Sequence, residues 1–110
     1  MTDESGRRAG LNEALFREVN EQIRSLDHEP REEDGTIAVI CECSDTDCTE
    51  RLVLLLSEYE HVRSDALLYV VARGHELLDV ERVVDRRDGW EVVRKVGAAG
   101  DIAEETDPRS

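Results

Sequence analysis

The sequence has no apolar run that approaches the roughly 18 residues needed to span a lipid bilayer. Its N-terminus is acidic, and no apolar signal region follows it. Together these two absences predict a soluble protein that resides in the cytoplasm.

Positive charge is scarce. The chain has 14 Lys and Arg against 27 Asp and Glu, a formal net charge of -13 at pH 7. Affinity for phosphate backbones and anionic lipid heads comes mainly from Lys and Arg, so we expect no direct binding to nucleic acid or to a membrane. An acidic surface suits a protein partner with a basic face, although nothing in the sequence identifies that partner.

The apolar content is nevertheless high enough for a folded core. Leu, Ile, Val and Phe together make up about 25% of the 110 residues, above the level of roughly 20% that marks disordered chains of high net charge. We expect a disordered lead over residues 1–10 and a flexible acidic tail over residues 97–110. A single α+β metal-binding domain is expected between them, over residues 11–96.

A helix is predicted at the start of this domain. Apolar residues recur at steps of three and four and form one stripe, with charged residues on the solvent side. The stripe comprises Leu11, Leu15, Phe16, Val19, Ile23 and Leu26, and the solvent side comprises Glu13, Arg17, Glu18, Glu21 and Arg24. The helix should end between Asp27 and Pro30, because proline disfavours helical geometry in the residue before it.

The remaining pattern predicts short strands and one short helix. The strands are Thr36–Cys41, Arg51–Leu56, Leu67–Val71, Val80–Arg86 and Trp90–Lys95. A capping box formed by Ser57 and Glu60 starts the short helix, and Asp88-Gly89 supplies the turn of a hairpin. The expected fold is an N-terminal amphipathic helix packed on a small, mostly antiparallel sheet, with a second short helix.

The three cysteines are clustered at the end of the first predicted strand, as Cys41-Glu42-Cys43-Ser44-Asp45-Thr46-Asp47-Cys48. In extended geometry Cys41 and Cys43 point the same way, about 6.6 Å apart at Cα. The polar residues 44–47 are enough to turn the chain and return Cys48 to the other two. Three thiolates facing one point repel each other, and a divalent cation such as Zn²⁺ relieves the repulsion. Structural zinc sites take four tetrahedral Cys and His ligands.

The fourth ligand must come from elsewhere, and the histidines are His28, His61 and His75. His75 lies in Gly74-His75-Glu76 at the end of a predicted strand, where glycine lets the backbone bend and expose the imidazole. We therefore predict a Cys3His site of Cys41, Cys43, Cys48 and His75. The other imidazole N–H would be accepted by Glu76 or Asp45.

Other interpretations of the cysteines stay open. In one interpretation the cysteines are ordinary buried thiols or redox-active thiols. A structural disulfide is disfavoured, because the number of cysteines is odd. If His75 is not a ligand, water would complete a catalytic zinc site with Glu76 as general base. The zinc-deaminase signature is absent.

Several motifs resemble those of a family of short, uncharacterised bacterial proteins. They are Phe16-Arg17-Glu18-Val19-Asn20-Glu21, the C-x-C-x4-C block, Ser57-Glu58-Tyr59-Glu60-His61-Val62-Arg63, Gly74-His75-Glu76, Val83-Val84 and Thr106-Asp107-Pro108-Arg109. The resemblance implies that the cysteines and His75 form one recurring constellation, and it implies no activity. Arg73 stands where the family often has proline.

The sequence thus predicts a small acidic zinc-binding protein that is a non-enzymatic regulatory or protein-interaction module. The alternatives are a thiol-based redox sensor that releases its metal on oxidation and a small zinc hydrolase. No catalytic residue is assigned.

Overall fold

A long helix opens the chain, followed by two small antiparallel sheets and further short helices, in a computed structural model that describes residues 2–26, 35–45 and 47–109. The helices are α1 (Thr2–Leu26), α2 (Leu56–Arg63) and α3 (Gly97–Glu105). The strands are β1 (Thr36–Ile40), β2 (Arg51–Leu55), β3 (Leu68–Ala72), β4 (Glu81–Arg86) and β5 (Trp90–Lys95). The predicted α+β class, with its N-terminal helix and antiparallel strands, is confirmed.

The strands form two sheets where the sequence predicted one. β1 pairs with β2, and β5 lies between β3 and β4, with every pairing antiparallel. The sheets meet just after β1, where the Glu42 N–H donates to the Val70 carbonyl of β3 at 2.8 Å. This junction brings the cysteine loop to β3, the strand of the three-stranded sheet where Tyr69, Val70 and Val71 are almost fully buried.

The predicted hairpin of β4 and β5 is confirmed, with Gly89 at φ +87° in its turn. The start of α2 was predicted wrongly. β2 runs directly into α2, and the Leu55 N–H donates to the Glu58 carboxylate at 2.8 Å. Glu58 therefore takes the role that the capping box assigned to Glu60, two residues later in the chain.

Both ends differ from the prediction for a shared physical reason. Residues 2–10 are helical rather than a disordered lead, and residues 97–105 form α3 rather than part of a flexible tail. The small residues of these segments let the two helices approach closely: a Cβ on Gly10 would lie 3.1 Å from the Cα of Ala99, and one on Gly6 would lie 3.6 Å from the Cβ of Ala98. The small residues that led us to predict loops at both ends instead form the contact between α1 and α3.

Ion pairs hold the last described residues in place. Asp107 pairs with the buried Arg63. Arg109 donates to Glu60 at 2.9 Å and to Glu21 of α1 at 3.1 Å. The Asp107 carboxylate therefore helps to anchor the acidic tail.

The buried face of α1 agrees only in part with the predicted one: Ile23 packs on the core and Glu18 is exposed, as expected. Leu11, Leu15 and Val19 are exposed, whereas Glu13 and Arg17, assigned to the solvent side, are fully buried. Each buried charge has a specific partner. The Glu13 carboxylate lies 2.8 Å from the ammonium of Lys95, and Arg17 donates to the carbonyls of Ala66 and Ala103 at 2.6 and 2.8 Å. The predicted helix end between residues 27 and 30 lies outside the described residues.

In the described part of the chain, no helix combines the length and the apolar character that crossing a membrane requires.

Candidate metal centre

The first two cysteines lie on an extension of the β1–β2 hairpin. The Cys41 N–H donates to the Glu50 carbonyl at 3.0 Å, which continues the antiparallel pairing by one residue. The Glu42 side chain contacts Asn20 and the Val70 N–H instead of joining the cysteines. Cys41, Glu42 and Cys43 are all buried, with exposed fractions of 2%, 0% and 3%. The two thiols thus share one side of the backbone, as predicted from their spacing.

A side-chain turn returns the third cysteine to this side. The Asp47 N–H donates to the Asp45 carboxylate at 2.9 Å, and the Cys48 N–H donates to the Asp45 carbonyl at 3.0 Å. Aspartate favours such turns because its short side chain bonds to the backbone two residues ahead. This turn, rather than a long loop, brings Cys48 back towards Cys41.

The histidine is placed by a tight turn at the end of β3. The His75 N–H donates to the Ala72 carbonyl at 3.0 Å, and Gly74 between them has φ +86°. A positive φ at the third position is the mark of a type II turn, which favours glycine. The turn directs the imidazole towards the cysteine loop. The predicted role of Gly74 is therefore confirmed.

The four side chains converge. One ligand atom from each of Cys41, Cys43, Cys48 and His75 lies within 4.8 Å of the other three. The His75 Nδ1 is 3.6 Å from the Sγ of Cys41 and 3.6 Å from the Sγ of Cys48. A tetrahedral zinc ion with ordinary Zn–S and Zn–N bond lengths requires S···N separations of about 3.6 Å and S···S separations of about 3.8 Å. The group can therefore hold a metal ion such as zinc.

The other two histidines differ from His75. His61 is exposed on α2, and His28 lies outside the described residues. The two carboxylates considered as acceptors for the imidazole have other neighbours: Asp45 accepts the Asp47 amide, and Glu76 lies close to the Glu91 carboxylate.

Burial determines the protonation of the thiols. It raises the pKa of the Cys41 thiol far above its usual range, although the Ala72 N–H, 3.1 Å from the sulfur, acts in the opposite direction. Burial raises the pKa of the Cys43 thiol as well. Desolvation disfavours an uncompensated thiolate, and a divalent cation at the centre supplies the missing compensation.

Sequence reasoning missed two residues that hold the cysteine loop in place. Asn20 of α1 donates to the Ile40 carbonyl and accepts from the Ile40 N–H, both at 2.8 Å. Its amide also donates to the Glu42 carboxylate at 2.7 Å, and the Val70 N–H donates to the other Glu42 oxygen at 3.0 Å. Asn20 and Glu42 thereby join α1, β1 and β3 directly behind the cysteines.

Both residues lie within motifs that resemble those of the bacterial family, but the sequence indicated no role for either of them. Glu42 stood between two cysteines as an ordinary acidic residue, and Asn20 stood in a helix among charged neighbours. Burial raises the pKa of the Glu42 carboxyl, and hydrogen bonds from Asn20 and Val70 oppose this shift. A second asparagine of α1, Asn12, donates to the Ser44 carbonyl at 3.0 Å. α1 therefore binds the loop through two asparagines, one near each end of the loop segment 40–44.

Comparisons with known proteins contribute no further constraint. No protein-family model, curated protein or solved structure matches the chain. The resemblance to a bacterial family accordingly stays a prediction.

Proposed function

We propose that this protein binds one zinc ion through Cys41, Cys43, Cys48 and His75, and that the ion is structural. The convergence of the four donor atoms supports the proposal, because the S···N distances from His75 to Cys41 and to Cys48 match the edge of a zinc tetrahedron. Three soft thiolate donors and one imidazole are typical of zinc among the common divalent metals.

The ion would connect two segments that are far apart in the chain. Three ligands come from the loop after β1, and the fourth follows β3. Binding free energy at such a site contributes to folding, because the unfolded chain has no preformed set of ligands. Three thiolates with one Zn²⁺ would carry a net charge of -1, which changes the formal charge of the chain from -13 to -14.

A non-enzymatic role fits this ligand set best. Catalytic zinc usually has three protein ligands and an open position for water, whereas four protein ligands are the composition of structural sites. We infer that the protein acts in regulation or assembly through a protein partner. The acidic charge favours a basic surface on that partner, with association that weakens as salt increases.

A redox sensor is the second candidate, and the exposure of Cys48 favours it. Cys48 is only half-buried, unlike the other two cysteines. One molecule of hydrogen peroxide would oxidise two of the thiolates to a disulfide, accepting two electrons and, with two protons, leaving as two waters. The zinc ion would lose two ligands and dissociate.

Native mass spectrometry with elemental analysis tests the zinc site directly. We expect one zinc ion per chain, lost on acid denaturation. His75→Ala should weaken zinc affinity by at least about 100-fold. Loss of a ligand should have a larger effect than loss of a residue that only hydrogen-bonds to a ligand, which typically weakens affinity by about 10- to 100-fold. The matched control, His61→Ala, removes an exposed histidine of α2 and should leave the affinity unchanged. Metal-free protein with three free thiols would refute the proposal.

Mild peroxide treatment with a chromogenic zinc chelator separates the two candidates. A static structural site predicts no zinc release, with three thiols countable after unfolding. Release of one zinc ion together with the loss of two thiols would support the sensor instead. Reduction with a dithiol should then restore zinc binding.

A further inference from the structure

The four ligands of the candidate metal centre differ in exposure. Cys41 and Cys43 are 2% and 3% exposed, whereas Cys48 and His75 are half-buried. The Cys48 Sγ and the His75 Nδ1 lie 3.6 Å apart, so the two accessible ligands share one edge of the group. A reagent from solvent therefore reaches the centre at this edge, and the sulfur that it meets there is that of Cys48.

Hydrogen bonding also distinguishes the sulfurs. The Ala72 N–H donates to the Cys41 sulfur at 3.1 Å. Such a bond withdraws electron density from a metal-bound thiolate and makes it a weaker nucleophile. Within residues 2–26, 35–45 and 47–109, no backbone N–H donates to the Cys48 sulfur. Cys48 thus differs from Cys41 in both burial and hydrogen bonding, and from Cys43 in burial.

We propose that Cys48 of the zinc-loaded centre is a modification site for neutral, soft carbon electrophiles, the class of α,β-unsaturated carbonyl compounds. Cysteines that react are partly exposed thiolates, whereas cysteines buried in the interior are inert. The inference rests on the proposed zinc site, because zinc binding supplies the thiolate.

The charges around this edge favour a neutral reagent over an anionic one. The exposed charged residues within three positions of Cys48 are three carboxylates and one guanidinium, those of Asp45, Asp47, Glu50 and Arg51. Next to His75, Arg73 and Glu76 cancel. Arg8, which lines a surface recess with Ser44, offsets one more carboxylate. With the net negative charge of the zinc–thiolate group added, the surroundings stay anionic and repel an anionic reagent.

The modification step removes one anionic ligand from the centre. The Cys48 Sγ lone pair forms an S–C bond with the β-carbon of the electrophile, and the C=C π pair moves to the α-carbon and carbonyl as an enolate. The enolate takes a proton from water, which leaves hydroxide. Cys48 becomes a neutral thioether, a poorer ligand than a thiolate. The connection between the cysteine loop and the end of β3 is thereby weakened.

Limited alkylation with N-ethylmaleimide, followed by peptide mapping, tests the assignment on wild-type protein. Native mass spectrometry first establishes the zinc content of the same sample. With a limiting amount of reagent, at least about tenfold more adduct should form on Cys48 than on Cys41 or on Cys43. The control is the same protein unfolded in guanidinium chloride with a chelator, where the three cysteines should react at similar rates.

A maleimide that carries a carboxylate tests the preference for neutral reagents. Each rate is divided by the rate of the same reagent with β-mercaptoethanol. On this scale the anionic maleimide should react with Cys48 more slowly than N-ethylmaleimide does, and the difference should shrink as salt increases. Asp47→Asn should reduce the difference, whereas Glu18→Gln, at an exposed carboxylate of α1, should leave it unchanged.

The outcomes separate this inference from the proposed function. Zinc-loaded protein in which Cys41 or Cys43 is modified first, or in which all three cysteines are modified equally, would overturn the inference and leave the zinc site standing. Equal relative rates for the two maleimides would refute the preference for neutral reagents. Protein that binds no zinc would overturn both the inference and the proposed function.

Discussion

At the residue scale, Gly74 has a greater effect on the candidate metal centre than its size suggests. Its φ of +86° is a conformation that costs a residue with a side chain about 1–2 kcal/mol. A Cβ added at Gly74 would meet no atom within 4 Å, so the cost is one of backbone conformation alone. The next residue is His75, whose imidazole is oriented by this turn.

Gly74→Ala is therefore expected to reduce both stability and zinc affinity. We expect a loss of about 1 kcal/mol in the free energy of unfolding and a weakening of zinc binding by about tenfold, because relaxation of the turn moves the imidazole. Chemical denaturation and competition with a zinc chelator measure the two effects. Gly89→Ala is a close control, since Gly89 has φ +87° and equally open space but lies in the β4–β5 turn. It should reduce stability alone, and equal zinc affinities in the two variants would contradict this account.

At the scale of elements, α1 is the scaffold of the cysteine loop. Asn20 bonds to both backbone groups of Ile40 and to the Glu42 carboxylate, directly before and within the cysteine block. Because Ile40 is the last residue of β1, Asn20 determines where the strand ends and the loop begins. A helix distant in sequence thus fixes the position of Cys41.

Asn20→Ala should destabilise the fold by about 2–3 kcal/mol, because it removes the partner of a carboxylate and of two backbone groups. Zinc affinity should fall by about tenfold as the loop loosens. Thermal unfolding with and without zinc measures the first effect, and chelator competition measures the second. Gln22→Ala, at an exposed residue of the same helix, should change neither quantity. A stability change in Asn20→Ala without any change in affinity would show that α1 supports the fold but not the centre.

The scale of the whole molecule includes a second buried group of charges, away from the cysteines. Lys95 of β5 pairs with Glu13 of α1 and with Glu81 of β4, and all three side chains are fully buried. The Lys95 ammonium also lies 4.5 Å from the centre of the Tyr69 ring. With both carboxylates ionised, this group would hold one excess negative charge in the interior. Burial raises the pKa of Glu13 to about 8. The positive charge of Lys95 acts to lower this pKa, and the negative charge of Glu81 acts to raise it.

Stability should consequently decrease as pH rises from about 4.5 to about 8. The folded chain retains a proton on Glu13 in this range, whereas the unfolded chain has lost it, so unfolding releases a proton. The slope is at most about 1.4 kcal/mol per pH unit, the value for one proton. Denaturant unfolding of wild type and Glu13→Gln across this range measures it. The difference between them should grow with pH in favour of the glutamine variant, and a constant difference would refute the shift.

Much of the fold was predictable because its signals are local. The hairpin of β4 and β5 follows from Asp88-Gly89, and the shared orientation of Cys41 and Cys43 follows from the period of an extended strand. The choice of His75 depended on Gly74, whose conformational freedom is a property of one residue. In each case the physical cause acts over a few neighbouring positions.

The errors arise where distant segments determine the outcome. Arg17 reads as a solvent-facing residue of an amphipathic helix until the carbonyls of Ala66 and Ala103 are in place to accept its hydrogen bonds. Gly10 reads as part of a polar lead until α3 packs against it. Periodicity describes a helix in isolation and contains no information about such acceptors.

The sequence by itself determined the strands, the β4–β5 turn and the set of residues with ligand chemistry, since these depend on backbone preferences and side-chain type. The tertiary structure was needed to show that Asn20 and Glu42 hold the cysteine loop, and that α1 buries Glu13 and Arg17 while it exposes two of its leucines. The physical reason is that a buried polar group is stable only beside a partner. Those partners come from segments far away in the chain, which only folding brings together.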